Sequence, residues 1–226
     1  MSSRFLLLVF IVLICFSLRA QTPLRAVDLS KIKQKSIGDF LKKQIEGGVI
    51  YFEDFQPSVT AQTDSACFDF NEHQFKLKQP RTEAWKAYLS AHPAKIWQGR
   101  IVSCGLIYLP RKKQVIFPED AYPGLEVGQI FFVEMRLIFR LAKFPICFMV
   151  TRIDENKQTI SFSYVASGSS KGAQTIQLID NGNGETKIKH SSIHQTENVL
   201  RDKTLYPIYH RKAIGEVHKN IKKQFH

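Results

Sequence analysis

Five strand-like segments follow one another in the second half of this chain and restrict the folds open to it. They are rich in β-branched and aromatic residues, and they cover Gln129–Phe139, Ile146–Ile153, Thr159–Ala166, Ala173–Ile179 and Thr186–His194. The connections are short, and Asp154–Lys157, Gly168–Gly172 and Asn181–Gly184 all have turn composition. Parallel strands need long crossovers, so we expect these strands to pair antiparallel.

Helical patterns occur on both sides of this strand region. Ser36–Glu46, with Ser36 as the expected N-cap, and Thr82–Ser90 both place apolar residues at helical spacing. A basic helix is predicted from Thr204 to Phe225, with an apolar stripe on one face formed by His210, Ile214, Val217 and Ile221. Cys67–Leu77 is strand-like, whereas Ile96–Leu109 is compatible with either a helix or a strand. The order predicts an α+β fold in which a curved antiparallel sheet wraps around a long C-terminal helix.

The N-terminus has the composition of a secretory signal peptide. In Met1–Ala20, Arg4 precedes the apolar run Phe5–Phe16, and the small residue Ala20 follows. A transmembrane helix needs about 20 apolar residues, so this run is short for one. We expect cleavage after Ala20 and export to the periplasm or the extracellular space. An uncleaved membrane anchor is the alternative.

The remaining chain divides into two parts. Residues 21–64 are predicted to form an N-terminal helical extension and linker, because Gln56–Ala66 is rich in Pro, Ser, Thr and Gln. Val49–Phe55 within this part suits a strand or an extended arm. Residues 65–226 are predicted to form the main domain.

The formal net charge of +12 favours anionic partners but does not specify a fold. Export and the lack of a recognised motif argue against nucleic acid. The cations of the last helix fit a solvated face best, and contact with an anionic membrane surface is an alternative. They are Lys203, Arg211, Lys212, Lys219, Lys222 and Lys223.

The sequence offers no motif for catalysis or metal binding. Gly168–Gly172 matches a nucleophile elbow as a string, but a strand rather than a helix is predicted after it. Asp180–Gly184 lacks side-chain ligands where a calcium loop needs them, and we predict a hairpin turn. Cys67, Cys104 and Cys147 would remain after cleavage; one pair among them has the option of a disulfide, and Cys147 is expected to be a buried small hydrophobe. No cofactor and no metal are therefore expected.

Histidines are the polar residues that best fit a ligand site. Strand alternation places Ile188, His190, Ser192 and His194 on one face, and His210 of the last helix can approach that face from across the core. Neutral or charged imidazole suits acid–base chemistry or hydrogen bonding to a ligand. The alternative is that one or both strand histidines face solvent.

Two other strands carry candidate residues. Phe162 and Tyr164 occupy the inward face of their strand, where the Tyr164 hydroxyl is suited to orienting a ligand. Glu134 and Arg136 share a face and either anchor a ligand or face solvent. The solvent orientation is favoured, because Phe131, Val133, Met135 and Leu137 make the better core face.

The order of elements, together with Ser161–Tyr164, Lys171–Gly172 and Asp180–His190, resembles the START/SRPBCC helix-grip superfamily over roughly residues 65–225. This resemblance implies a seven-stranded antiparallel sheet that grips a C-terminal helix around a deep apolar cavity. It carries no shared catalytic residue. Members include carriers of lipids and other hydrophobic ligands, and cyclases or dehydratases of aromatic polyketides.

Two functions therefore compete. The first is an exported, non-catalytic protein that holds a hydrophobic small molecule or lipid between sheet and helix. The residues expected to contact it are Phe162, Tyr164, His190, His194, His210, Ile214 and Val217. The second is a small cyclase, dehydratase or hydrolase that uses the pocket histidines as acid and base. An apolar cavity wall favours binding, whereas histidines that converge on one point favour chemistry. A third option is a domain whose own side chains fill the cavity.

Overall fold

A computed structural model of the chain describes residues 21–137, 142–168, 170–195 and 206–225. The predicted signal peptide, Lys203 and the first two residues of the predicted last helix lie outside this part. Four α-helices are described: α1 (Lys35–Glu46), α2 (Arg81–Ser90), α3 (Pro93–Ile96) and α4 (Tyr206–Lys222). A 3₁₀ turn, Lys223–Phe225, follows α4.

Eight strands form one curved sheet in which the described neighbours are all antiparallel. The spatial order is β1-β8-β7-β6-β5-β4-β2-β3, which brings the first and last strands together. The bounds are β1 Asp69–Leu77, β2 Val102–Leu109, β3 Gln114–Ile116, β4 Ile130–Leu137, β5 Ala142–Asp154, β6 Thr159–Tyr164, β7 Lys171–Asp180 and β8 Thr186–Gln195. The expected α+β architecture is confirmed, with one strand more than the resemblance implies.

The helix α4 packs on one face of the sheet, together with α2 and α3. Ala213, Val217 and Ile221 of α4 belong to the same buried cluster as inward-facing residues of all eight strands. The predicted stripe is confirmed, because His210, Ile214, Val217 and Ile221 are all buried. Burial of this stripe stabilises the position of α4 through removal of apolar surface from water.

The N-terminal segment covers part of the opposite face. Phe52 stacks on Tyr108 of β2 and meets Phe132 of β4 edge-on, all three with almost no exposed surface. Helix α1 packs over β4 and β5, and its Ile37 fills the space beside Gly105 at a bulge in β2. The division between an extension and a main domain stays a prediction, since the two share this second core.

This cover changes the environment predicted for Glu134 and Arg136. Both point away from α4, as expected, but the expectation that they face solvent was wrong for Glu134, which is 2% exposed. Ser36 donates a hydrogen bond to one carboxylate oxygen, and Arg136 pairs with the other at 3.0 Å. Ser36 therefore does not cap α1, for which Gln34 is the N-cap.

Three ambiguous segments also take defined forms. Ile96–Leu109 contains the end of α3 and the strand β2. Val49–Phe55 is an extended arm with a 3₁₀ turn at Phe52–Asp54 and a single bridge between Tyr51 and Pro23. The predicted linker is partly tied to the sheet, because Ser58 donates its backbone N–H to the carbonyl oxygen of Tyr164.

Two polar side chains of α4 bind the backbone between α3 and β2. The Glu216 carboxylate accepts hydrogen bonds from the backbone N–H groups of Arg100, Ile101 and Val102, at distances of 2.8 to 3.3 Å. One turn later, the Asn220 amide donates to two carbonyl oxygens of the same segment. Gly99 leaves room for this arrangement, since a Cβ at this position would collide with the Glu216 carboxylate. These contacts fix α4 along its axis.

We expect Glu216→Ala to lower the free energy of unfolding by about 2–3 kcal/mol, because it leaves backbone donors without a charged acceptor. Urea denaturation measures this loss. Glu216→Gln keeps an acceptor oxygen and should lose less. Lys219→Ala, an exposed change on the same helix, should stay within about 0.5 kcal/mol of the parent protein. Equal stability of Glu216→Ala and Lys219→Ala would show that the carboxylate does not anchor α4.

Candidate functional site

Two small cavities lie between the sheet and α4. The larger has a volume of about 30 Å³ and an almost wholly apolar wall that includes Phe131, Phe162 and Val217. The smaller has about 10 Å³ and is lined mostly by apolar side chains, with Tyr164, Gln174 and His210 as its polar residues. Trp97 is the residue that the two linings share. Ligand pockets usually measure about 300–1,000 Å³, so this interior is largely filled by its own side chains.

The predicted site residues occupy two neighbouring regions of this interior. Phe162 and Val217 line the larger cavity, whereas Tyr164, His210 and Ile214 line the smaller one. His190 and His194 line neither cavity. They lie on the same buried face of β8, as strand alternation predicts, and both are almost completely buried. The expectation that either might face solvent was wrong.

A chain of hydrogen bonds crosses the core beside the cavities. Tyr88 of α2 bonds to Nδ1 of His218, whose Nε2 lies 2.9 Å from Nδ1 of His190. The other nitrogen of His190 lies 2.9 Å from Oε1 of Gln174. The Gln174 amide then donates to the Tyr164 hydroxyl, which is 2.9 Å from the hydroxyl of Tyr206.

The amide of Gln174 determines the direction of this chain. Its Oε1 can only accept, so Nε2–H of His190 donates and Nδ1 of a neutral His190 accepts. His218 therefore donates a hydrogen bond through Nε2–H, and its Nδ1 accepts one from the Tyr88 hydroxyl. Both rings are fully hydrogen-bonded as neutral imidazoles, which satisfies two polar groups in an apolar core.

His210 differs from these two histidines, because neither of its ring nitrogens has a hydrogen-bond partner in the described part of the chain. It is only 4% exposed and stacks on Tyr206 at 5.0 Å. Ser192 Oγ and His73 Nε2 are also buried, and no residue that the structure describes is a hydrogen-bond partner of either atom. An unpaired buried polar group costs about 1–3 kcal/mol. These four atoms, two of His210 and one each of Ser192 and His73, lie on α4, β8 and β1. We call the region that they occupy the polar end of the interior.

Burial keeps these histidines uncharged. It lowers the pKa of His210 and of His218 to about 3, with neighbouring histidines adding to the shift. Burial likewise puts the pKa of His190 well below its usual range. A general base works best when its pKa is near the working pH, so these rings are weak proton acceptors at neutral pH.

Sequence reasoning missed several members of this network. His218 follows Val217 directly, and it lies one turn after Ile214 and one turn before Ile221, so a broader apolar stripe would have included it. His73 lies opposite His190 in the register of β1 and β8, which only strand pairing reveals. Tyr88 lies in the predicted helix Thr82–Ser90, whose apolar spacing gives no sign of a hydrogen bond to a histidine of α4.

A second, open groove lies on the outer side of the sheet. Its volume is about 670 Å³, and its walls include Lys33, Lys95, Arg136 and Lys143 together with Glu119 and Glu134. Two of these charges form the Glu134–Arg136 pair and two form an exposed Lys33–Glu119 pair. The groove therefore lacks the apolar wall that the predicted ligand requires.

Other sequence predictions have simple outcomes in the described residues. No group of three His, Cys, Asp or Glu residues there is placed to hold a metal ion. Cys67, Cys104 and Cys147 are free thiols, and Cys147 is buried as expected. The Asp180–Gly184 segment joins β7 to β8 as a turn. None of the described helices combines the length and apolar composition that a membrane crossing requires.

Comparison with known proteins supports the fold. No protein-family model matches the chain, and no curated protein is significantly similar to it in sequence. A point mutant of norcoclaurine synthase from Thalictrum flavum, in complex with a transition-state analogue, has a TM-score of 0.52 and 13% identity, over 72% of this chain and 96% of that chain. The same enzyme with dopamine and hydroxybenzaldehyde gives 0.51 and 12%, over 74% and 94%. Major latex-like protein 151 from Panax ginseng gives 0.50 and 12%, over 70% and 97%.

At these identities the similarity concerns the fold alone. The sheet order, the antiparallel pairing and the position of α4 define a helix-grip protein, the class that the sequence resembles. The chain therefore has the helix-grip fold of START/SRPBCC-like proteins.

The buried histidines predict a pH-dependent stability. Their pKa values are lower in the folded than in the unfolded chain, so the unfolded chain binds more protons below pH 6.5. Stability should therefore fall as the pH is lowered from 6.5 to 5, with each histidine approaching about 1.4 kcal/mol per pH unit. His210→Phe keeps the ring stacked on Tyr206 and should show a shallower fall. Urea denaturation at pH 7, 6 and 5 gives the free energy of unfolding of the parent protein and of His210→Phe. If this free energy fell equally with pH in both proteins, the lowered pKa of His210 would be contradicted.

Proposed function

We propose that this protein binds a small, mainly apolar molecule in the interior between the sheet and α4. The observation that carries the proposal is the position of His210, whose two ring nitrogens are buried beside an apolar cavity and have no hydrogen-bond partner among the described residues. Burial of apolar surface would drive binding at about 25 cal/mol per Å². Polar groups at one end of the cavity would set the orientation of the molecule.

Binding requires this interior to expand. The cavities of about 30 and 10 Å³ share Trp97 as a lining residue, which stacks on Phe148 and is 8% exposed. Because Trp97 lines both spaces, its indole is the side chain best placed to join them by moving. We infer that this indole moves when the ligand enters.

A carrier is favoured over an enzyme by the character of the walls. His190 and His218 bond to each other and to Gln174 and Tyr88, so their nitrogens are already used. The larger cavity is surrounded by aliphatic and aromatic side chains. Norcoclaurine synthase has a similar fold and is an enzyme, but a histidine with a lowered pKa gives little acid–base chemistry at neutral pH.

Binding of the neutral fluorescent probe N-phenyl-1-naphthylamine tests the proposal. Trp97→Leu should bind the probe about tenfold more tightly than the parent protein, because it joins and enlarges the two cavities. Ile176→Phe should bind it at least fivefold more weakly, because the added ring occupies the larger cavity, which Ile176 lines.

Leu106→Phe is the matched control for Ile176→Phe. Leu106 is fully buried in the second core, on the opposite face of the sheet, and both changes carry an overpacking cost of about 1–3 kcal/mol. We expect the Leu106→Phe protein to bind the probe as tightly as the parent protein does. Equal weakening by the two substitutions would place the probe elsewhere, and a parent protein that binds no apolar probe would overturn the proposed function.

Export before ligand binding is part of the proposal. Hydrogen bonds place the backbone of Thr22 against Phe52 and that of Leu24 against Ile50. A chain cleaved after Ala20 would therefore retain all of these contacts.

The exposed cations of α4 are proposed to form a solvated face, with attraction to anionic membranes as the alternative function.

Cleavage is tested by the intact mass of protein from its native host. We expect a chain that begins at Gln21, because Ala20 is the small residue that ends the signal-like segment. Fractionation should place this form outside the cytoplasm. A mature mass that includes residues 1–20 would contradict cleavage and favour an anchor.

A further inference from the structure

The polar end of the interior is built from two elements that face each other. On β8, Ser192 lies between His190 and His194, and all three are buried on one face. On α4, Tyr206 stacks on His194 at 3.5 Å, and His210 contacts His190 edge-on at 5.6 Å. The two helix rings therefore lie over the strand on both sides of Ser192.

Four of the six buried side-chain polar atoms that have no hydrogen-bond partner among the described residues lie at this place. They are Oγ of Ser192, both ring nitrogens of His210 and Nε2 of His73 on the neighbouring strand β1, whereas the other two belong to Thr22 and Gln158. The adjacent His190 has no such atom, because Gln174 and His218 occupy both of its nitrogens. Among the described residues at this place, therefore, Ser192, His210 and His73 have polar atoms free to bind a ligand, whereas His190 does not.

We propose that His210 and Ser192 form the head-group site for a neutral ligand that carries a hydroxyl group on an apolar ring or chain. This inference rests on the proposed function and adds the chemical class of the ligand. A hydroxyl both donates and accepts a hydrogen bond. It therefore matches a neutral imidazole, which offers one donor and one acceptor, and a serine hydroxyl, which offers both.

An anionic head group fits this site less well. A carboxylate only accepts hydrogen bonds and would leave the acceptor nitrogen of His210 unpaired. The rings around His210 are those of Tyr206, His73 and His190, and burial disfavours a charged imidazole among them. A buried carboxylate without a cationic partner is costly.

Three probes with the same apolar part test the head group: 4-ethylphenol, ethylbenzene and 4-ethylbenzoate. Competition with N-phenyl-1-naphthylamine gives the three affinities for the parent protein. We expect 4-ethylphenol to bind about threefold to tenfold more tightly than ethylbenzene, because the net free energy of one or two hydrogen bonds corresponds to a factor of this size. We expect 4-ethylbenzoate to bind more weakly than 4-ethylphenol by a similar factor.

Matched variants assign this preference to particular atoms. His210→Phe and Ser192→Ala should each reduce the ratio of the affinities for 4-ethylphenol and ethylbenzene to within about twofold. Ser191→Ala is the control, because Ser191 lies on the opposite face of the same strand. It should keep the full preference.

The outcomes separate this inference from the function on which it rests. Equal affinity of the parent protein for 4-ethylphenol and ethylbenzene would overturn the head-group site and leave apolar binding intact. Tightest binding of 4-ethylbenzoate would overturn the choice of a neutral ligand. A loss of preference in Ser191→Ala equal to that in Ser192→Ala would also overturn the site. Failure of all probes to bind would overturn the proposed function itself.

Discussion

The hydrogen bonds from the backbone of residues 100–102 to Glu216 are the interaction on which the rest of the interior depends. They fix α4 along its axis against the start of β2, and Asn220 adds a second contact one turn later. A helix held only by apolar contacts can slide, because burial is not directional. Once Glu216 is fixed, His210 and His218 lie at defined heights over β8, and the hydrogen bonds of His218 to His190 and Tyr88 depend on that position.

The interior combines satisfied and unsatisfied polar groups in one apolar setting. Tyr88, His218, His190 and Gln174 satisfy one another and behave as part of the core. His210 is buried to the same degree but has no such partner in the described residues. Because an unpaired buried group is destabilising, its presence beside an apolar cavity favours a ligand as the source of the missing hydrogen bonds. This contrast separates structural histidines from the candidate binding residue.

Much of the fold could be predicted from local patterns. Alternation along β8 predicted the common face of His190, Ser192 and His194, and helical spacing predicted the buried stripe of α4. The prediction failed for Glu134, since a segment about 100 residues earlier in the chain covers it and supplies Ser36 as its partner. Alternation shows which residues share a face, but not what covers that face.

The sequence by itself determined the antiparallel sheet, the terminal helix and the set of residues that point between them. Turn composition, strand alternation and helical periodicity are local properties, so they can be read along the chain. Only the tertiary structure decided that His73 and His218 join the predicted histidines, that Gln174 gives their hydrogen bonds a direction, and that Trp97 lines both of the remaining cavities. These relations depend on strand register and on the axial position of α4, which contacts between distant residues determine.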